Sequence, residues 1–184
     1  MFKKEYAYIK YKPIFMLSLP IFSQENILLS FAFFGLVSFF ESLAFAGLFF
    51  PGTTLILFAG YFCARQGISP FLAIIFITAG GLLGGAVSFF LGKIGATNLL
   101  ERYHLLKPAQ LHKGQKFLEK YGKYGVSIAR FIGPLRPIVP FTAGLFKMSS
   151  KRFFISDILG VILSTIFYVL VGYYFGEGLI FLSI

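Results

Sequence analysis

The chain has one cysteine, Cys63, no tryptophan, two histidines and only seven acidic residues in 184. A single cysteine excludes an internal disulfide and any cysteine cluster for a metal. His104 and His112 stand eight apart in a lysine-rich segment. That is not metal-ligand spacing and reads as solvated surface. Charged residues are 13% of the chain, against roughly a quarter in a soluble domain. No histidine falls in an apolar run and no carboxylate cluster is visible, so an enzyme's acid, base or nucleophile has no candidate at ordinary pKa values. The sequence therefore predicts no catalytic residue, no metal, no cofactor and no enzymatic activity.

What is present is apolar. Hydrophobic residues are 57% of the chain and the mean hydropathy is +0.81, which predicts an integral membrane protein of one domain. The N-terminal apolar region runs on well past a signal peptide's short core, with no small-residue cleavage site behind it, so no cleavable leader is expected. The net charge of +10 sits beside hydrophobic runs, which points to topology and anionic lipid rather than nucleic acid.

The chain reads as a basic N-terminal segment (1–26), a first repeat with its leading helix (27–92), a basic amphipathic linker (93–123) and a second repeat (124–178). Residues 70 to 92 and 153 to 176 are each long and apolar enough to span. The block from 41 to 62 is opened by Glu41 and broken at Pro51-Gly52. The stretch from Val126 to Phe146 carries Arg130, Arg136 and three prolines. An arginine at a bilayer centre costs about 2.5–3.5 kcal/mol on insertion scales, so such charges mark cavities or binding sites. Proline removes a backbone donor and clashes with the preceding turn. Broken backbone at membrane depth survives only where protein or water covers it. A re-entrant hairpin shaped by Gly133, Pro134, Pro137 and Pro140 is the expected result, with a counterpart shaped by Pro51 and Gly52.

Two internal echoes support a repeat. Ala59-Gly60 matches Ala143-Gly144 at an offset of 84 residues, and Phe89-Phe90-Leu91-Gly92 lines up with Tyr173-Tyr174-Phe175-Gly176 at the same offset. Paired interrupted segments in two halves point to a repeat-built transporter with its site between the repeats. Lys and Arg number four in residues 1–13, seven in 93–123 and three in 147–152. The positive-inside rule puts all three clusters on the cytoplasmic face only if 126–146 dips in and returns. The expected fold is thus an all-α polytopic membrane protein with inverted repeats, two re-entrant helical hairpins entering from opposite faces, long spanning helices and a cytoplasmic N-terminus. In the linker, Leu111, Phe117, Leu118, Tyr121 and Tyr124 fall near helical spacing opposite Lys113, Lys116, Lys120 and Lys123. That predicts an interfacial helix drawn to anionic headgroups, with Pro108 in its first turn; the competing reading is that the lysines only fix topology.

The run Ala129-Arg130-Phe131-Ile132-Gly133-Pro134-Leu135-Arg136-Pro137-Ile138-Val139-Pro140-Phe141-Thr142-Ala143-Gly144 resembles the signature of the DedA family, also described as SNARE-associated or VTT-domain membrane proteins. Met148, Lys151-Arg152-Phe153, Glu41, Phe50-Pro51-Gly52-Thr53-Thr54-Leu55 and Ala59-Gly60 extend the resemblance over residues 27 to 178. It implies a lipid flippase of the bacterial cytoplasmic membrane, moving undecaprenyl phosphate or a phospholipid such as phosphatidylethanolamine. The sequence departs from the family where many relatives carry an acid: Thr53 follows Pro51-Gly52, and Gly84-Gly85 stands in place of Gly-Asp.

Two arginines suit a lipid phosphate because guanidinium stays ionised and offers a planar fork of donors. Arg130 and Arg136 are the predicted phosphate ligands. Pairing of each with a buried carboxylate or with hairpin carbonyls is the competing, structural reading. Glu41 is the sole charge between Ile27 and Tyr61 and has three readings: counter-charge to an arginine, proton site, or a residue reaching water at the interface. Asp157 is expected in interfacial pairing near Arg152, and Thr53, Thr54 and Thr142 in polar lining or capping. The partners implied are membrane lipids and an anionic phospholipid substrate. The sequence leaves the oligomeric state open, with a homodimer among the options. A small-solute or ion transporter on the same frame is the alternative function.

Overall fold

The structure is a computed structural model. It describes residues 26–44, 46–47, 52–95 and 108–182. Pro51, His104 and the basic N-terminal segment lie outside the described residues.

Seven α-helices are described: α1 (Ile27–Ser42), α2 (Gly52–Gln66), α3 (Phe71–Lys93), α4 (Pro108–Tyr121), α5 (Gly125–Ala129), α6 (Ile138–Leu145) and α7 (Ser150–Leu182). By length and composition α3 and α7 can each cross a bilayer. At 1.5 Å per residue the 23 residues of α3 reach about 34 Å, slightly more than a hydrocarbon core. Large apolar side chains point outward along α7, among them Ile155, Leu159, Leu163 and Phe167, as a lipid-facing helix requires.

The three prolines of the arginine stretch all fall where a helix begins. Pro134 lies in the first turn of a 3-10 segment, Gly133–Leu135. Pro137 caps α6, and Pro140 lies in the first turn of α6, where a missing N–H leaves no intrahelical bond broken. The chain between α5 and α6 is therefore irregular because its sequence denies it a continuous ladder. Ser42 and Ser88 fasten the turn after α1: the Ser88 hydroxyl donates to the Ser42 carbonyl at 2.8 Å and accepts from the Ala44 N–H at 3.0 Å.

Helix α1 packs along α3, and α2 along α7. Phe31, Phe34, Ile56, Phe62, Ile77 and Val169 form one core among these four helices. A second joins Phe89, Val126, Val139 and Phe153, where the Phe89 and Phe153 rings stack with centroids 4.1 Å apart.

Glycines set two matching crossings. A Cβ on Gly60 would run into the Val169 carbonyl and lie 2.8 Å from the Tyr173 nitrogen; one on Gly144 would run into the Phe89 carbonyl and lie 2.9 Å from the Lys93 nitrogen. In return, Gly172 abuts the Leu57 carbonyl and Gly92 the Phe141 carbonyl. Gly60 and Gly144 keep the offset of 84, but Gly92 now matches Gly172, an offset of 80. The echo of Phe89–Gly92 therefore falls on Val169–Gly172, one turn before the expected Tyr173–Gly176. The slip has a local cause. Helix α2 continues beyond Gly60 to a left-handed cap at Gly67, whereas α6 closes at Lys147, three residues after Gly144.

Helix α4 begins at Pro108, well after the start of the basic segment, and ends before Lys123. Gly114 is buried, and a Cβ there would lie 2.5 Å from the Thr142 hydroxyl, so α4 lies directly against α6.

Candidate functional site: a buried arginine cluster

The site begins at the end of α5. Arg130 follows its last residue, and its backbone N–H still bonds the Ser127 carbonyl at 3.3 Å. Two serine contacts hold this short helix to α7: the Ser127 N–H donates to the Ser156 hydroxyl at 3.3 Å, and the two hydroxyls lie 2.9 Å apart. Gly160 leaves room for the Arg130 stem, since a Cβ there would lie 3.1 Å from Arg130 Cγ.

Arg130 is 3% exposed and its guanidinium is surrounded. Nε and Nη2 donate to Asp157 Oδ1 at 3.0 and 2.6 Å, Nη1 donates to Ser42 Oγ at 2.9 Å, and Nη2 reaches the Gly81 carbonyl at 3.3 Å. Both Asp157 contacts converge on one oxygen, and Asp157 Oδ2 is buried with no hydrogen-bond partner.

Arg136 is held differently. Its Nη1 donates to Glu41 Oε1 at 2.8 Å, and its Nε donates to the Arg130 carbonyl. The guanidinium carbon lies 4.9 Å from the centroid of the Tyr168 ring, the geometry of a cation–π contact. Tyr168 also donates its hydroxyl to the Phe131 carbonyl at 3.0 Å, fixing the start of the loop between the arginines. Phe131, Ile132, Gly133 and Pro134 are all exposed, and Gly133 has open space around it. The loop tip is outward while the arginines on either side are buried.

Glu41 stands on the last turn of α1 and is 5% exposed. The interface-to-water reading of Glu41 is therefore not what the structure has. Besides Arg136, its Oε1 accepts from Thr53 Oγ1 at 3.0 Å. Gly52 makes this possible, because a side chain there would collide with the Glu41 carboxylate.

The cluster thus joins Glu41, Thr53, Arg130, Arg136 and Asp157 from α1, α2, the loop between α5 and α6, and α7. Asp157 is not interfacial: it is fully buried on Arg130. Thr54 is exposed on α2, and Thr142 donates its hydroxyl to the Ile138 carbonyl within α6. Both stand outside the cluster. Sequence reasoning missed Ser42 and Tyr168. The available signal was the spacing of Asp157, Ser164, Thr165 and Tyr168, which puts a polar stripe on one face of α7.

Two cations face two carboxylates, so the cluster can be electrically neutral. Burying such pairs carries a desolvation cost that Coulomb attraction repays only with good hydrogen-bond geometry. Arg130 meets that condition with three partners. Arg136, with two hydrogen bonds and a polarisable ring against the four hydrogen bonds of Arg130, is the more exchangeable. Among the described residues no three His, Cys, Asp or Glu side chains are grouped to hold a metal ion.

Residues 50–174 match the VTT domain, which takes in the whole arginine cluster except Glu41 and Ser42. The chain belongs to the DedA family of VTT-domain membrane proteins. Similar members include an uncharacterised membrane protein of Buchnera aphidicola from Acyrthosiphon pisum, 37% identical over 79% of this chain and 57% of the relative. The inner membrane protein YabI of Escherichia coli is 34% identical over 78% of this chain and 57% of its own length. Protein DedA of Escherichia coli is 26% identical over 70% of this chain and 60% of its own. The chain thus spans just over half the length of these DedA-family relatives. No solved structure matches it.

Proposed function

We propose that this DedA-family protein moves a lipid with a phosphate headgroup across the membrane, acting as a transporter and not as an enzyme. The observation that carries the reading is the buried guanidinium pair of Arg130 and Arg136 beside a broken, outward-tipped loop. Undecaprenyl phosphate and phosphatidylethanolamine represent the two substrate classes to be told apart. Arg136 is the phosphate ligand that exchanges, because two hydrogen bonds, to Glu41 and the Arg130 carbonyl, and the Tyr168 ring hold it, against four hydrogen bonds at Arg130. Arg130, with its three partners, anchors the frame and supplies positive potential. An arriving phosphate displaces Glu41 from Arg136. Glu41 retains the Thr53 hydroxyl as donor and serves as counter-charge or proton site during exchange.

The frame belongs to the same proposal. The stretches 41–62 and 126–146 are the re-entrant hairpins of two inverted repeats, with the N-terminus and the basic linker in the cytoplasm. The matched glycine crossings of α2 on α7 and of α6 on α3 support this arrangement, as does the grouping of cations at 93–123 and 147–152.

The test is transbilayer movement in proteoliposomes. A polyprenyl phosphate, phosphatidylethanolamine and a neutral lipid are compared for wild type and Arg136→Ala, with and without a pH gradient. Headgroup-selective movement that vanishes in the variant is expected. If no lipid moves with correctly folded protein, the proposal fails in favour of a small soluble anion or ion on the same frame.

A further inference from the structure

A second cavity lies away from the arginine cluster. A cavity of about 580 Å³ opens between the end of α4 and the turn joining α6 to α7, lined by Leu118, Gly122, Ala143, Phe146, Lys147, Met148, Ser149 and Arg152. Neither Arg130 nor Arg136 lines it. Its volume is that of a small-ligand site, and its make-up is that of an amphiphile's. Leu118, Ala143, Phe146 and Met148 offer apolar surface, while Lys147, Arg152 and Ser149 offer donors.

Among the described residues the cations of this cavity are in no ion pair. The ion pairs among the described residues are Arg130–Asp157 and Arg136–Glu41, and neither uses Lys147 or Arg152. Both are exposed. Glu119, the acid on the adjoining helix, accepts from Gln115 at 2.9 Å. Lys93 adds positive charge nearby, its Nζ lying 3.1 Å from Ser150 Oγ. Lys113, Lys116 and Lys120 extend along the adjoining α4.

Lys147 also stands where glycine would suit the backbone better. Its φ is 55°, and it closes α6 with bonds from Lys147 N–H to the Gly144 carbonyl at 2.9 Å and from Met148 N–H to the Ala143 carbonyl at 3.0 Å. The same cap at the end of α2 uses Gly67, with φ 65°. A strained lysine doing glycine's work is consistent with a side chain that has its own role.

We propose that this cavity binds the phosphate of an anionic phospholipid headgroup at the membrane interface, with Lys147 and Arg152 as ligands and the acyl chains lying over Phe146. Basic pockets beside spanning helices take such headgroups through charge and donor geometry. The site stands whether or not the deep arginines carry phosphate.

The experiment counts lipid retained on purified full-length protein by native mass spectrometry, with phosphatidylglycerol, phosphatidylcholine and inorganic phosphate as separate probes. Three variants are compared: Lys147→Asn/Arg152→Gln, the charge-matched Lys113→Gln/Lys116→Gln outside the cavity, and the charge-keeping Lys147→Arg/Arg152→Lys. Asparagine is chosen because it tolerates positive φ. Wild type is expected to retain phosphatidylglycerol over phosphatidylcholine, with weak binding of free phosphate. The cavity variant should weaken that retention by about thirtyfold, two cations' worth, while the other two change it less than about threefold. Equal loss in the α4 control would show diffuse surface attraction and overturn the site. So would unchanged retention in the cavity variant, equal retention of phosphatidylcholine, or a preference for inorganic phosphate. If the cavity variant does not fold, loss of retention in the charge-keeping variant overturns the proposal and wild-type retention there supports it.

Discussion

Gly85 and Asp157 contend for one volume between α3 and α7: a Cβ on Gly85 would lie 2.8 Å from Asp157 Oδ2 and would run into the Arg130 guanidinium. The missing side chain lets α7 bring its carboxylate onto Arg130. The resemblance to the family implies an acid at position 85, where this chain has glycine. The cluster nevertheless has a second carboxylate, delivered from α7.

Gly85→Ala should therefore be harmful out of proportion to its size. The methyl group meets a buried ion pair, and overpacking of this kind costs about 1–3 kcal/mol. Thermal unfolding in detergent should show a lowered midpoint. An unchanged midpoint would mean that α3 and α7 are not pressed together here.

Asp157→Asn tests the pair itself. It leaves the Arg130 charge buried with an amide in place of its counter-charge, and removal of one partner of a buried pair costs about 3–5 kcal/mol. Moving the acid back across the contact, as Gly85→Asp with Asp157→Gly, should recover part of that loss. If the double variant is no more stable than Asp157→Asn, the position of the carboxylate matters as well as its charge. That would sink the idea that either helix can supply it.

How much of this was legible beforehand differs by element. The apolar spans expected at 70–92 and 153–176, found as α3 (Phe71–Lys93) and α7 (Ser150–Leu182), the break around Gly133-Pro134 and the burial of both arginines follow from hydropathy and proline chemistry, which are local properties. The partner of Arg130 was not legible, because Asp157 is 27 residues away in sequence and a nearer arginine, Arg152, offered an easier pairing. Thr53 and Thr54 both stand beside the Pro51-Gly52 break in sequence. Helix geometry separates neighbours by about 100°, so one hydroxyl reaches Glu41 and the other faces outward. The one-turn slip between the two glycine crossings was also hidden, since glycine is frequent enough here for several registers to match by chance.

Glu41 offers a sharper functional test. Glu41→Gln keeps the shape and the Thr53 contact but removes the charge opposite Arg136, so transport should fall steeply while insertion persists. Thr53→Val removes one hydrogen bond to that carboxylate, worth about 1.5–3 kcal/mol for a bond to a charged group, and should lower stability without abolishing transport. Transport rates and unfolding midpoints measured on both variants separate the roles. Near-normal rates in Glu41→Gln would remove Glu41 from the exchange.

The glycine crossings make the final prediction, and it concerns the frame. Gly60→Ala and Gly144→Ala each put a methyl group against a carbonyl of the opposing helix, Val169 in one case and Phe89 in the other. If the two crossings are equivalent parts of one repeated design, the two variants should destabilise by similar amounts, about 1–3 kcal/mol. Gly133→Ala is the control, since a Cβ there meets nothing within 4 Å and α-helical packing does not depend on it. Unfolding titrations of the three proteins would read this directly. A large loss for Gly144→Ala beside none for Gly60→Ala would show that only the arginine-bearing half is tightly built, and the repeat would then be a resemblance of sequence without a shared mechanical role.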